Sequence, residues 1–327
     1  MRLRSARRHA LLIASLLPLT ACIAGTTDSD TGGRAAAGPT VRIAVGVDAS
    51  FAPFFLADDQ GLWAKHGVDV DLVQFAKGGE GVDALTAGQV QMAANSDTTT
   101  IGVLGQSPGL RSLLVYENSG AYLKVVLGPH VKSPAGIRKM AVVPGLSELA
   151  ATRFLESKGI APGSVDFVTA DPAEIPALTK KGDVDAYVLW APWPDKGVEL
   201  GAKILETTGD YGLSYQQWLL GTSPWLKANS DTAAKVAGAL AEAARRTERD
   251  PDAAAKATKD AAKVPTEQTV DAIKDIDFGV RDFTAADLKA YRDTAAFYVS
   301  TGNVKSAPDV AKAVLDGWLP EHTRGSR

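Results

Sequence analysis

The chain has 327 residues, a formal net charge of −3, one cysteine and four histidines. Arg2, Arg4, Arg7 and Arg8 all stand near the N-terminus, so the remainder is more acidic than the total, which argues against a nucleic-acid partner. A single thiol allows no internal cross-link, so the fold rests on burial alone, and the length suffices for two cores.

Residues 1–9, MRLRSARRH, are basic, and residues 10–21, ALLIASLLPLTA, are apolar apart from Ser15 and Thr20. A basic segment, an apolar run too short to cross a bilayer of about 30 Å, and then small residues form the layout of a secretory signal. In LTAC, a leucine three positions before Cys22 and Ala21 directly before it resemble a bacterial lipobox. That resemblance implies removal of residues 1–21, acylation of the Cys22 thiol, and attachment to the extracytoplasmic face of the cell membrane. Residues 22–39 are small and polar with no apolar period, and read as a flexible tether.

Beyond the tether, VRIAVGV (41–47) is a β-branched strand, and PFFLADDQGLWAKHG (53–67) reads as one helix with Pro53 in its first turn and Gly67 at its stop. VDVDLVQF (68–75) then alternates as a half-buried strand does. The same alternation continues through the helix GEGVDALTAG, the strand VQMAAN (90–95), the helix DTTTIGVLGQ and the strand RSLLVYE (111–117). After YLKVVLGPH (122–130) it restarts with KMAVV, LSELAATRFLESKG, VDFVT, DPAEIPALTKKG and DAYVLW (185–190). Strands alternating with helices predict largely parallel sheets covered by helices, here as two α/β lobes. From about Ser230 the chain is alanine-rich with apolar residues at helical spacing. These helices are expected to add no sheet and to pack on the first lobe.

The order of these pieces resembles the nitrate/sulfonate/taurine type of solute-binding protein that feeds ABC importers. The resemblance is carried by A-x-x-x-G-x-[WF]-x-K-x-G (Ala57 to Gly67), by A-L-x-x-G (Ala84 to Gly88), and by G-D-V-D-A with W-x-P (Gly182 to Pro192). It implies a periplasmic-binding-protein-like fold, with two α/β lobes joined by two crossover strands near Tyr122–Gly128 and Gln216–Thr222. Lobe I would comprise residues 40–122 and 220–327, lobe II residues 123–219, and a monomer would present its loaded form to ABC permease subunits. A sensing lobe that serves a membrane kinase shares this fold.

In α/β sheets a ligand lies beyond the carboxyl ends of the strands, so the loops there supply the candidate site. After the first strand come Asp48, Ser50 and Phe51; after the second, Lys77, with Gly78 and Gly79 permitting close backbone approach. After the third come Asn95, Ser96 and Asp97, at a helix start, and in the second lobe Gly145, Leu146 and Ser147 stand at another. Trp190 ends a strand and could wall the ligand, whereas Trp193 reads as packing; Tyr122 and Glu117, beside the crossover, read as either hinge or pocket. Each helix start offers free N–H groups and about half a positive charge, worth roughly 0.3 to 2 kcal/mol to an anion.

The sequence departs from the family where Leu146 stands in place of a hydroxyl residue, with Glu148 close by. With Asp48 and Asp97 opposite, this acid content fits a zwitterion such as taurine, or a cationic heterocycle of the thiamine-precursor type, as well as it fits a sulfonate or nitrate. No catalysis is expected. His9, His66, His130 and His322 lack metal-ligand spacing, and no GxSxG, HExxH or GxxxxGK[ST] motif occurs, so neither cofactor nor metal is predicted.

Overall fold

The computed structural model describes residues 40–319. The predicted signal, Cys22 and the tether lie outside the described residues, as do His9 and His322. Within them no helix is long and apolar enough to cross a membrane.

Ten strands form two five-stranded sheets. Sheet 1 holds β1 (Val41–Val45), β2 (Val70–Gln74), β3 (Met92–Ser96), β4 (Leu110–Ser119) and β10 (Tyr215–Thr222), in the order β2-β1-β3-β10-β4. Sheet 2 holds β5 (Lys124–Leu127), β6 (Lys139–Val142), β7 (Asp166–Thr169), β8 (Ala186–Leu189) and β9 (Lys203–Thr207), in the order β7-β6-β8-β5-β9. Strands joined through helices pair in parallel, as β1 does with β2 and β3, and β6 with β7 and β8. In each sheet one strand runs against its neighbours: β10 against β3 and β4, and β5 against β8 and β9. Each is the first strand made after the chain changes sheets. It enters from the far side with no helix to turn it round, and the sheets are mixed for that reason.

The change of sheets happens at residues 120–123 and again at 208–214. The two segments lie side by side, with Thr208 N donating to Leu123 O (3.1 Å) and Thr208 Oγ1 to Gly120 O (3.1 Å). A Cβ at Gly209 would meet Gly120 O at 2.9 Å, so the close pairing needs glycine there. The first passage overlaps its predicted position at Tyr122. The second does not: residues 216–222 are a buried strand in the middle of sheet 1, and the turn-forming stretch TGDYGLS just before them makes the passage.

Helices α1 (Ala52–Asp59), α2 (Leu62–Lys65), α3 (Gly78–Thr86) and α4 (Asp97–Val103) connect the first strands, and α5 (Leu146–Ser157), α6 (Ile175–Lys181) and α7 (Trp193–Glu199) connect those of sheet 2. The single helix expected over 53–67 is interrupted because Gly61 adopts φ +62°, a left-handed conformation that ends α1 and starts α2. Then follow α8 (Ser223–Ala228), α9 (Ser230–Arg249), α10 (Pro251–Ala262), α11 (Thr266–Lys274), α12 (Ala285–Ser300) and α13 (Val310–Ala313).

The alanine-rich composition has a packing use. Along α9, Ala233, Val236, Ala237, Leu240, Ala243 and Ala244 are buried at spacings of three and four, a narrow stripe on which α1 lies closely through helix faces of small residues. Behind it Phe54, Phe55 and Leu56 are buried, each worth about 1.5 to 3 kcal/mol of transfer free energy. The segment after α11 adds single backbone bridges to the exposed edge of sheet 1, Asp277 to Asn118 and Arg281 to Val115, and Val314 pairs with Ser112. The C-terminal third therefore covers that edge as well as packing helices, which removes an unpaired row of N–H and C=O groups. A polar cluster fixes α12 against β10: Gln216 Nε2 donates to Asp287 Oδ1 (2.5 Å), Arg281 donates to the same carboxylate (2.6 Å), and Trp218 Nε1 donates to Tyr291 Oη (3.2 Å).

Candidate solute site between the two sheets

The loops after β1, β2 and β3 meet those after β6, β7 and β8 around a cavity of about 600 Å³. Of the residues singled out in the sequence, Asp48, Ser50, Phe51, Lys77, Asn95, Ser96, Tyr122, Leu146, Ser147 and Trp190 line it, and Asp97 and Gly145 do not. Among the described residues no group of His, Cys, Asp and Glu side chains is arranged to hold a metal ion.

Among the helices that begin at the wall, α3, α4 and α5 differ in how their first N–H groups are used. At α4, Ser96 Oγ accepts from Thr99 N (3.2 Å), and Asp97 Oδ1 accepts from Thr98 N (2.5 Å) and Thr98 Oγ1 (3.0 Å). Asp97 is thus turned into its own helix start and away from the cavity. Burial pushes its carboxyl up to about 7 despite these donors. At α3 the N-cap residue Lys77 caps nothing with its side chain, and the N–H groups of Gly78 and Gly79 have no acceptor among the described residues. At α5, Gly145 is the N-cap and provides no side-chain cap, and the N–H groups of Leu146 and Ser147 are likewise without acceptors there.

Small residues are needed at both uncapped starts. A Cβ on Gly78 would overlap Asn95 Oδ1, whose side chain is itself held by Asn95 Nδ2 donating to Thr100 Oγ1 (3.1 Å). Gly145 has φ +99°, and a Cβ there would meet Thr99 Oγ1 at 2.6 Å, so the start of α5 presses on α4 across the gap between the sheets. Gly145 shapes the site without lining it. The Ser147 hydroxyl is engaged within sheet 2, accepting from Val143 N (3.2 Å) and donating to Val188 O (2.7 Å), which leaves only its backbone N–H for the cavity.

Toward the mouth the wall carries Glu80, Asp83, Asp171 and Glu174, with Lys77 the one cation among the lining residues. The Lys77 ammonium pairs with the Asp171 carboxylate, which joins the loop after β2 to the loop after β7, and the hydrogen bond to Asp171 raises the lysine above its usual range. This pair is solvent-exposed, so it contributes little to stability.

The inner end is polar and aromatic. Asp48 Oδ1 accepts from Ser50 N (2.9 Å), Ser50 Oγ (2.7 Å) and Tyr122 Oη (3.1 Å), and burial lifts its carboxyl above the ordinary value against these donors. Tyr122 stacks on Tyr215, with ring centroids 6.5 Å apart, and Tyr215 Oη donates to Glu117 Oε1 (2.7 Å). Glu117 is fully buried, and desolvation holds its carboxyl well above the carboxylate range. It serves as a support behind Tyr215.

Tyr215 and Gln217, on β10, line the cavity and are not among the residues expected from the sequence, which puts a crossover near 216–222. The signal was present in the alternation of YQQW: positions 215 and 217 face the cavity, whereas Gln216 and Trp218 bond to α12. Thr169, Ala170, Asp171 and Glu174 were missed as well, although the strand-end rule applied to the other loops would have found the loop after VDFVT.

Two mixed sheets joined by a double passage, with a cavity at the facing strand ends, define the periplasmic-binding-protein fold. Two solved structures share it: the aliphatic sulphonate-binding protein of Escherichia coli (TM-score 0.75, 18% identity, 87% of this chain and 99% of that one) and the nitrate-binding protein of Synechocystis PCC 6803 (TM-score 0.74, 18% identity, 88% and 89%). The profile of the NMT1-like family matches residues 34–262, and the chain belongs to that family. In sequence the chain is 28% identical over 179 residues to the taurine-binding periplasmic protein of Escherichia coli, which covers 53% of this chain and 56% of that protein. The chain thus spans about half the length of that relative.

Proposed function

We propose that the protein captures a small anionic or zwitterionic solute, of the sulfonate, taurine or nitrate class, and delivers it to an ABC importer without changing it chemically. The observation that carries this reading is that α3 and α5, one beside each sheet, begin at the same cavity with free N–H groups and no side-chain cap. Donors from two helix starts can share an oxyanion, each worth about 0.3 to 2 kcal/mol, without an arginine. The sulfonate, nitrate and taurine proteins to which the chain is similar support the same class.

In this reading the sheets are the cores of two lobes, residues 40–122 with the chain from 215 onward and residues 123–214, which hinge about the paired passages at 120–123 and 208–214; because β10 lies in sheet 1, the boundary expected at 219/220 moves back to the second passage. A solute resting on α3 favours the shut form because α5 adds its donors only there, so closure is a shift of population toward the better-bound state. The shut form would dock on the permease, and a lipid on Cys22 would hold the protein near it at the extracytoplasmic face. Cys22→Ala is expected to release the protein from the membrane fraction into the medium with its solute affinity unchanged. Continued membrane retention would remove the anchor from the account.

The test of capture is thermal denaturation against ethanesulfonate, taurine, nitrate, bicarbonate and pyrimidines. A ligand at about 100 times its Kd adds about 2.7 kcal/mol, which raises Tm by about 4 to 5 °C in a protein of this size. A panel in which nothing moves Tm would defeat the proposal.

A further inference from the structure

The inner end of the cavity holds more acceptors than donors. Ser50 Oγ gives its hydrogen to Asp48 Oδ1 and therefore receives one from Gln217 Nε2 (3.2 Å). That chain fixes the Gln217 amide so that its nitrogen faces Ser50 and its Oε1 is left over. Gln217 is 7% exposed, and Oε1 has no hydrogen-bond partner. The bonds to Asp48 all fall on Oδ1, and Oδ2 meets neither a donor nor a cation among the described residues. The two tyrosine hydroxyls that line the cavity are both engaged, Tyr122 on Asp48 and Tyr215 on Glu117, and Tyr116 Oη, buried and unpartnered, is not on the cavity wall. Buried acceptors are seldom left unpaired, and two together beside a cavity are completed by a donor arriving from outside.

Resting on the capture reading above, we infer that the solute carries a protonated amine, whose N–H groups bind Asp48 Oδ2 and Gln217 Oε1. The anionic group goes to the uncapped starts of α3 and α5, and the amine goes to the carboxylate end. A plain oxyanion satisfies the first and leaves the second, where Asp48 and Gln217 stand, without a donor. The class selected is therefore a small amine-bearing acid, and Asp48 with Gln217 sets that selectivity. The cavity of about 600 Å³ leaves room for substituents on such a molecule.

Matched probes separate the two layers of this account in calorimetric titrations at pH 7: taurine with ethanesulfonate, β-alanine with propionate, and ethylamine alone. The amine-bearing member of each pair that binds is expected to be at least tenfold tighter, with the ratio collapsing to within threefold in Asp48→Asn. Gln217→Met provides a second variant, in which the ratio drops at least threefold, and a thermal melt reports whether each variant is folded. Ethanesulfonate binding as tightly as taurine would overturn the amine subsite and leave anion capture standing. A ratio unaltered in both folded variants would equally overturn the assignment to these residues. Ethylamine binding while neither anion pair does would keep the subsite and overturn the anion reading, and binding of no probe would overturn both.

Discussion

The start of α4 and the starts of α3 and α5 are built from similar-looking loops and do opposite things. At α4 a serine and an aspartate take up the N–H groups of Thr99 and Thr98, so these two donors are in use without any solute. At α3 and α5 the corresponding pairs are Lys77–Gly78 and Gly145–Leu146, neither of which caps with a side chain, and the first N–H groups have no acceptor among the described residues. A hydroxyl or carboxylate at a helix start is thus a mark of a donor already in use. A glycine forced by a close approach marks a donor kept for something else.

The largest expected break of this contrast is Gly145→Ala. Its φ of +99° is unfavourable for any L residue, and the new Cβ would press on Thr99 Oγ1. Both effects oppose the approach of α5 to α4, and solute affinity is expected to fall at least about 100-fold, or about 3 kcal/mol, by titration. An alanine variant that bound normally would show that contact at this point is not required.

The second test uses the charge buried at the closed start. Burial pushes the Asp97 carboxyl from its ordinary value of 3.8 up to about 7 in the folded protein, so between these values the native state holds a proton that the unfolded chain has lost. The contribution of this group to stability accordingly falls as pH rises through the window. Asp97→Asn can still accept from Thr98 N and has no such titration. Relative to the parent it should gain about 2 kcal/mol in denaturant-measured stability between pH 5 and pH 7. A constant difference across that range would mean that the carboxyl is not perturbed in the fold.

How far the sequence discloses this contrast depends on which physical signal each residue carries. The βαβ order and the positions of the strand ends follow from local periodicity, and those ends led directly to Asp48, Lys77, Asn95 and Leu146 on the cavity wall. The direction in which a side chain turns is a tertiary matter. Nothing in NSDTTT distinguishes Ser96, on the wall, from Asp97, turned into the helix, and the hydroxyl of Ser147 is claimed by a carbonyl at residue 188. β10 was misjudged for a related reason. It pairs with β3 and β4, roughly a hundred residues or more earlier, and such long-range pairing has no local signature beyond the alternation in YQQW. The break at Gly61 was legible in principle, since a glycine inside a helical stretch is a natural place for a left-handed residue.

Ser96→Ala is the mildest of the three changes and the one that most sharpens the comparison, because Ser96 lines the cavity and caps a helix at once. If its hydroxyl is a cap, removing it exposes one N–H of α4 and lowers stability by about 1 kcal/mol. The Thr99 Oγ1 that it contacts at 3.0 Å then loses a donor and stays near Gly145. Solute affinity should change by less than twofold, since neither α3 nor α5 is touched. Were the hydroxyl instead a ligand donor, the pattern would invert, with affinity dropping about tenfold and Tm staying fixed, because a lost hydrogen bond to a charged group costs about 1.5 to 3 kcal/mol. Measuring Tm and Kd on the same variant therefore assigns the role, and a fall in affinity without a fall in Tm would mean that α4 belongs with the open helix starts after all.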